Sequence, residues 1–280
     1  MVVKYLQMQG THGPHRLACY EWGNPEADHV VICVHGLTRT GRDFDLLAQA
    51  LGDRCRVVCP DLPGRGESEW LSRELDYGYP LYVADAVALL AHLGAKRVDW
   101  VGTSLGGLLG MMLSARPDSP IRRLVLNDVG PFIPKAALEW IVAYVGKTPT
   151  FENLAALQKH LRIVHAQFGP LSDDQWNHLA RYSSRQLPDG SFALHYDPAI
   201  GIALRANPAQ DVDLWSVWDS VHCPVLVLRG SDSDVLLAET AAEMARRGPR
   251  AEVIEFPGVG HAPALMAPEQ IDRICDWLRA

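Results

Sequence analysis

The sequence predicts an α/β fold in which helices cover both faces of a mostly parallel sheet and a helical segment is inserted late in the chain. Three observations carry that expectation. Short apolar runs alternate with helical patterns through the first half, a glycine-flanked serine sits where a strand gives way to a helix, and the alternation stops near residue 131 and resumes near 216.

Taken in order, Val30–Val34, Val57–Cys59, Val98–Val101 and Leu124–Leu126 read as central strands, because each is a short run rich in β-branched or aliphatic residues. Phe44–Leu51 and Tyr82–Leu90 between them carry helical spacing and read as crossovers. The pattern returns with a strand at Val225–Leu228, a helix near Ala238–Arg247, a strand at Val253–Phe256 and a last helix after Pro268. That proline suits a first helical turn, where its missing N–H costs nothing.

Residues 131–215 break the pattern. Ile133, Ala137, Trp140, Ile141, Tyr144 and Val145 recur at helical spacing, and Leu154, Leu157, Leu161, Val164 and Phe168 repeat it after Thr148-Pro149. Ser172 with Gln175 reads as a capping box opening a third helix. The expected division is therefore a core of residues 1–130 and 216–280 with a helical lid of residues 131–215. An insertion at the carboxyl ends of the strands overhangs the crevice where open α/β sheets bind ligands, so at least one of Trp140, Tyr144 and Phe168 is expected to line an apolar acyl pocket.

Composition narrows the function classes. The 280 residues are 48% hydrophobic and 21% charged with a formal charge of -7, and no basic stripe is present, which argues against nucleic acid or anionic lipid as partner. No apolar run is long enough to cross a bilayer, and the opening Met1–Gln7 is too polar for a signal peptide, so a cytoplasmic protein is expected. Six scattered cysteines without a C-x-x-C pair read as buried thiols. No histidine pair has zinc-site spacing, and no metal or cofactor is expected.

The chemistry centres on Gly102-Thr103-Ser104-Leu105-Gly106, a G-x-S-x-G sequence between the Val98 strand and the helical run from Leu105. Such a turn strains the serine backbone and lifts its hydroxyl above the sheet, while glycine on either side keeps Cβ atoms clear. A serine nucleophile needs a base, an orienting acid and donors for the oxyanion. His261, in the glycine-rich loop after the last strand, is the candidate base, and the chain order serine, acid, histidine supports it. The backbone N–H groups of Leu105 and of Leu37, within His35-Gly36-Leu37, are the candidate oxyanion donors, with the His35 ring bracing its own loop.

These features together resemble the α/β-hydrolase superfamily over nearly the whole chain. The matching segments are His35-Gly36, Pro60–Ser68, the Ser104 turn, the Gly230–Asp234 loop and Gly260-His261. The resemblance implies an eight-stranded, mostly parallel sheet with a helical cap, a serine hydrolase close to carboxylesterases and meta-cleavage-product hydrolases, and a structural role for Asp61. Serine rather than aspartate at 104 argues against haloalkane dehalogenase and epoxide hydrolase. In many relatives the acid lies where this chain has Ser233, with Asp232 and Asp234 on either side. Asp234 is the favoured acid, with Asp232 and Asp128 as the other candidates; Asp128 reads more readily as a cap for the turn into Gly130-Pro131.

The expected activity is hydrolysis of a small or medium carboxylic ester or thioester through an acyl-enzyme, with Ser104, His261 and Asp234 as the triad. The alternative enzyme reading is cleavage of a carbon–carbon bond in a vinylogous diketone, which needs an arginine near the nucleophile for the substrate carboxylate; Arg39, Arg116 and Arg205 are the candidates. A non-enzymatic alternative is a ligand receptor on the same fold, which steady multiple turnover would exclude.

Overall fold

A computed structural model describes residues 1–280. Its main sheet has eight strands: β1 (Val2–Gly10), β2 (Gly13–Trp22), β3 (Val30–Val34), β4 (Arg56–Pro60), β5 (Val98–Thr103), β6 (Ile121–Asn127), β7 (Val225–Gly230) and β8 (Glu252–Phe256). They lie in the order β1-β2-β4-β3-β5-β6-β7-β8, and β2 alone runs against the rest.

The uninterrupted apolar character of the central strands follows from burial on both sides. Val31, Ile32 and Cys33 are all fully buried. Because successive side chains point to opposite faces, Ile32 joins the layer that holds Trp100, Leu109 and Trp218, and Val31 and Cys33 join the one that holds Leu47 and Ile274. The first layer is covered by α2 (Tyr79–Leu93) and α3 (Leu105–Ser114), the second by α1 (Asp45–Leu51) and the final helix, Pro268–Arg279. Pro268 and Pro80 both sit in first helical turns. The six cysteines are unpaired, and all but Cys223 are buried. No helix is long and apolar enough to cross a membrane.

The segment between β6 and β7 holds α4 (Lys135–Tyr144), α5 (Leu154–Val164), α6 (Asp173–Tyr182) and α7 (Ala199–Arg205), followed by α8 (Trp215–Asp219). Helices α9 (Ala238–Met244) and α10 (Pro268–Arg279) complete the chain. The capping box at Ser172 and Gln175 forms in full, with the Gln175 N–H 3.2 Å from Ser172 Oγ and the Ser172 N–H 2.8 Å from Gln175 Oε1. Leu157 and Leu161 of α5 pack with Trp176 and Leu179 of α6 in a small separate core.

The structure departs from the sequence expectation in five elements. Ile133 precedes α4 and pairs with Val212 in a two-residue ladder, and Phe168 ends a short 3₁₀ turn after α5. A three-stranded sheet of Thr150–Phe151, Ser184–Gln186 and Phe192–Leu194 ties the inserted helices together. Helix α7 is an addition, as is the β1–β2 hairpin at the sheet edge. Much of β1 is exposed, so its polar alternation left no apolar run to read.

Strand order reverses on either side of β3, whose neighbours are β4 and β5. The carboxyl ends of β3 and β5 therefore diverge into loops that leave opposite faces, opening a crevice between them. His35-Gly36-Leu37 leaves β3 and Ser104 leaves β5 at that crevice.

Candidate active site

Ser104 joins β5 to α3 with φ 51° and ψ -114°, a conformation that costs non-glycine residues about 1–3 kcal/mol unless the surroundings enforce it. Here they do. The Ser104 N–H donates to the Asn127 carbonyl at 3.0 Å, which ties the turn to the end of β6. A Cβ at Gly102 would overlap the Gly106 backbone, and one at Gly106 would overlap the Val34 carbonyl, so both glycines permit the close crossing of α3 over the sheet.

His261 comes from the loop after β8. Its Nε2 lies 3.0 Å from Ser104 Oγ and its Nδ1 2.7 Å from Asp128 Oδ2. A carboxylate can only accept, so Nδ1 carries the proton and Nε2 is left to accept from the serine hydroxyl.

Asp128, not Asp234, is thus the carboxylate that meets His261, and the expected placement of the acid at Asp234 is corrected. Asp128 follows β6 directly, is fully buried, and turns back at φ 56°. Its Oδ1 accepts the Gly230 N–H at 2.9 Å, and its Oδ2 accepts the Ser233 hydroxyl at 2.6 Å in addition to His261. The loop after β7 explains the outcome. Ser233 Oγ also accepts from the N–H groups of Val235 at 3.2 Å and Leu236 at 3.0 Å, which tightens the loop and buries position 233 against Asp128. Asp232 and Asp234, on either side of a buried residue, are both exposed, and Asp232 is engaged by the Ser231 hydroxyl at 2.7 Å. The signal available in the sequence was the pairing of serine at 233 with an aspartate immediately after β6.

The loop after β3 is held as expected of His35. The His35 ring donates from Nδ1 to the Gly36 carbonyl at 2.6 Å and accepts the Leu62 N–H on Nε2 at 2.9 Å. Complete burial pushes its pKa down to about 3, so the ring is neutral. Buried Arg65 donates to the Leu37 carbonyl at 2.8 Å from the other side. Leu37 borders the same cavity as Ser104, and its N–H meets no acceptor within the protein. Leu105 is the first residue of α3, where no intrahelical acceptor exists for its N–H. Asp61 touches neither Ser104 nor His261; it accepts from Gly41 N–H at 2.7 Å, Glu67 N–H at 2.9 Å and the Tyr20 hydroxyl at 2.9 Å, bracing the turn after β4. Burial pushes its pKa up to about 7 against the pull of those three donors.

The cavity over Ser104 holds about 90 Å³ and is bordered by His261, Leu37 and Arg39 from the core and by Ile141, Tyr144 and Phe168 from the inserted segment. Tyr144 and Phe168 are pocket residues as expected, whereas Trp140 is 68% exposed on the outer side of α4. Of the three arginines, Arg39 alone reaches the cavity. Arg116 is exposed and faces Asp118, and Arg205 donates to the Val145 carbonyl at 2.9 Å.

A model of the "Alpha/beta hydrolase family" matches residues 31–274. The chain is 46% identical over 275 residues to a 3-hydroxybutyrate-oligomer hydrolase of Cupriavidus necator, covering 95% of this chain and 94% of that one. It is 28% identical over 227 residues to a 2-hydroxymuconate semialdehyde hydrolase of Pseudomonas putida, covering 79% and 75%. Among solved structures, an alpha/beta hydrolase from Novosphingobium aromaticivorans superposes with a TM-score of 0.87 at 37% identity over 99% of this chain and 98% of that one. The family match, running from the second residue of β3 into the final helix, agrees with the strand order and the serine turn: this chain belongs to the alpha/beta hydrolase family and is a hydrolase.

Proposed function

We propose that the protein hydrolyses carboxylic esters through an acyl-enzyme and that its substrates are short esters of hydroxy acids. The observation that carries the chemistry is the unbroken hydrogen-bonded chain from Asp128 through His261 to Ser104. In the first step His261 Nε2 takes the Ser104 proton while Oγ bonds to the ester carbonyl carbon. The resulting oxyanion is held by the N–H groups of Leu37 and Leu105. Its collapse breaks the bond to the alcohol oxygen, which leaves with the proton from His261. Water then enters by the same route in reverse, with His261 as base, and releases the acid. Asp128 holds the ring in the tautomer this requires and stabilises the imidazolium. The hydroxy-acid class is supported by the 46% identity to the oligomer hydrolase together with the small, largely apolar cavity over the serine.

Carbon–carbon bond hydrolysis of a vinylogous diketone is the second reading, favoured by Arg39 beside the nucleophile and by likeness to the semialdehyde hydrolase. Turnover of a 3-hydroxybutyrate dimer, measured beside a dienoate diketone, separates the two. Ester turnover exceeding diketone turnover is expected, and the reverse overturns the ester reading. Ser104→Ala should leave less than about a thousandth of the activity in a folded protein, and a fluorophosphonate should label wild type at Ser104 alone. Labelling at another residue would remove Ser104 from the nucleophile's role.

A further inference from the structure

Arg39 is only 7% exposed, yet it borders two cavities: the one over Ser104 and a second of about 270 Å³ behind it. Tyr144, Thr38 and His165 are shared by both walls, so the two spaces are adjoining chambers around one guanidinium.

The fork of Arg39 is half used. Its Nε donates to Asp43 Oδ2 and its Nη2 to Asp43 Oδ1, both at 2.8 Å, which fixes the plane of the group. The remaining nitrogen, Nη1, faces only His165 Nε2 at 3.5 Å. Burial, and then the Arg39 charge itself, holds the pKa of His165 well below the ordinary histidine range, so that ring is neutral and a weak acceptor. Beyond Asp43 the guanidinium meets only the distant neutral His165 ring and the face of Phe168, whose centroid is 5.8 Å from its central carbon; neither replaces a full acceptor, and an anion supplies what is missing.

The second chamber fits the same ligand. Its border contains Arg39 and Lys147 and no carboxylate, in a chain whose formal charge is -7. Lys147 borders the chamber from its solvent-exposed side. Ser183, 5% exposed, borders the chamber with its hydroxyl unpartnered, while Leu161, Val164 and Leu194 give it apolar wall. Cationic and hydroxylic groups set among aliphatic side chains suit a short carbon chain that ends in a carboxylate.

We propose that the chamber behind Arg39 is a subsite for the free carboxylate of the substrate, and that the enzyme therefore selects ester acids over their neutral esters. The inference rests on the ester-hydrolase reading and narrows it: the scissile carbonyl lies at Ser104 while the carboxylate-bearing end reaches past Arg39. Arg39 is then a binding residue that reads charge, with Asp43 positioning it.

The test compares a 3-hydroxybutyrate dimer as the free acid with the methyl ester of the same dimer. In wild type kcat/KM should favour the acid by at least about tenfold, and in Arg39→Gln the preference should fall toward parity, the loss of one charge-assisted contact. If Arg39→Gln depresses both substrates equally and keeps their ratio, Arg39 is structural and the proposal fails. Should that variant not fold, wild type decides alone: free 3-hydroxybutyrate must inhibit turnover of a neutral aryl ester more strongly than methyl 3-hydroxybutyrate does, and equal inhibition overturns the subsite. If no ester is turned over at all, the hydrolase reading fails separately. Equilibrium dialysis of 3-hydroxybutyrate against wild type then decides the subsite, binding supporting it and no binding refuting it.

Discussion

Ser233 occupies the position at which the resemblance leads one to expect a carboxylate, and its chemistry explains why Asp128 can serve instead. Two carboxylates sharing the Nδ1 side of one imidazole would repel, and the pKa of one would rise until it lost its charge. A hydroxyl avoids that conflict. It donates to Asp128 at 2.6 Å, keeping the acid's lone pairs satisfied inside a site from which water is excluded. The two aspartates beside it face solvent and meet no part of His261. Asp128→Asn should therefore lower kcat by about four orders of magnitude, the loss seen in the serine-protease template when the orienting acid becomes an amide. Asp234→Asn should change kcat by less than about threefold, as expected of an exposed substitution away from the reacting groups. Steady-state kinetics on the two variants decides between them, and a larger loss in Asp234→Asn would return the acid to the loop after β7.

At the scale of elements, the serine turn is positioned by how closely α3 crosses β3 and β5. Gly106 lies against the Val34 carbonyl with no room for a methyl group. Gly94, at the end of α2, is the useful contrast: its φ is +62°, yet a Cβ there would meet nothing within 4 Å. Gly94→Ala should cost about 1–2 kcal/mol from backbone strain alone. Gly106→Ala should cost more, about 3 kcal/mol, because the helix must move off the strand. Urea unfolding of both variants measures the difference; equal midpoints would mean that α3 shifts freely and that the turn is not held by this crossing. The inserted elements pack by a different logic. Residues of α4 and α7 enter the main core through Ala137 and Ile200, while α5 and α6 build their own small core, so the pocket wall is fused to the sheet on one side and separately packed on the other.

For the molecule as a whole, His35, fully buried, and His29, about a third exposed, tie stability to pH with opposite signs. His35 has its pKa depressed to about 3 by burial, so its contribution is complete above the unfolded value near 6.5 and is lost as pH falls toward 3. His29, beside the loop into β3, meets Asp99 at 2.5 Å and has its pKa raised to about 9, chiefly by that hydrogen bond. Its contribution is complete below about 6.5 and is lost as pH rises through about 9. His29 is a third exposed, so solvent screening limits it to about 1 kcal/mol, whereas His35 carries several kcal/mol. Asp61, raised to about 7 by burial, opposes His35 over the same acid range, because its contribution is lost as pH rises from about 4 to about 7. The alkaline limb is therefore the readable one, and urea melts should show stability falling as pH rises from about 6.5 through about 9. His29→Gln should flatten the alkaline limb, and an unchanged limb would remove His29 as its cause.

Much of this architecture is written locally. The central strands, the serine turn, the Ser172 capping box and the bracing role of His35 depend on runs, turn residues and short-range hydrogen bonds, and such features keep their meaning wherever the chain places them. The β1–β2 hairpin and the two-residue ladder of Ile133 with Val212 were not legible, since edge pairing and long-range register leave little periodicity behind. The acid was decided only by the tertiary structure, because Asp128 and His261 are 133 residues apart and three aspartates had comparable local sequence. What selected among them was the tightening of the Gly230–Leu236 loop around the Ser233 hydroxyl, which buried one position and turned its neighbours to solvent. The arginine was decided the same way: Arg39 became the cavity's cation because the crevice at the reversal of strand order brings the loop after β3 against the inserted helices, a meeting no local pattern encodes.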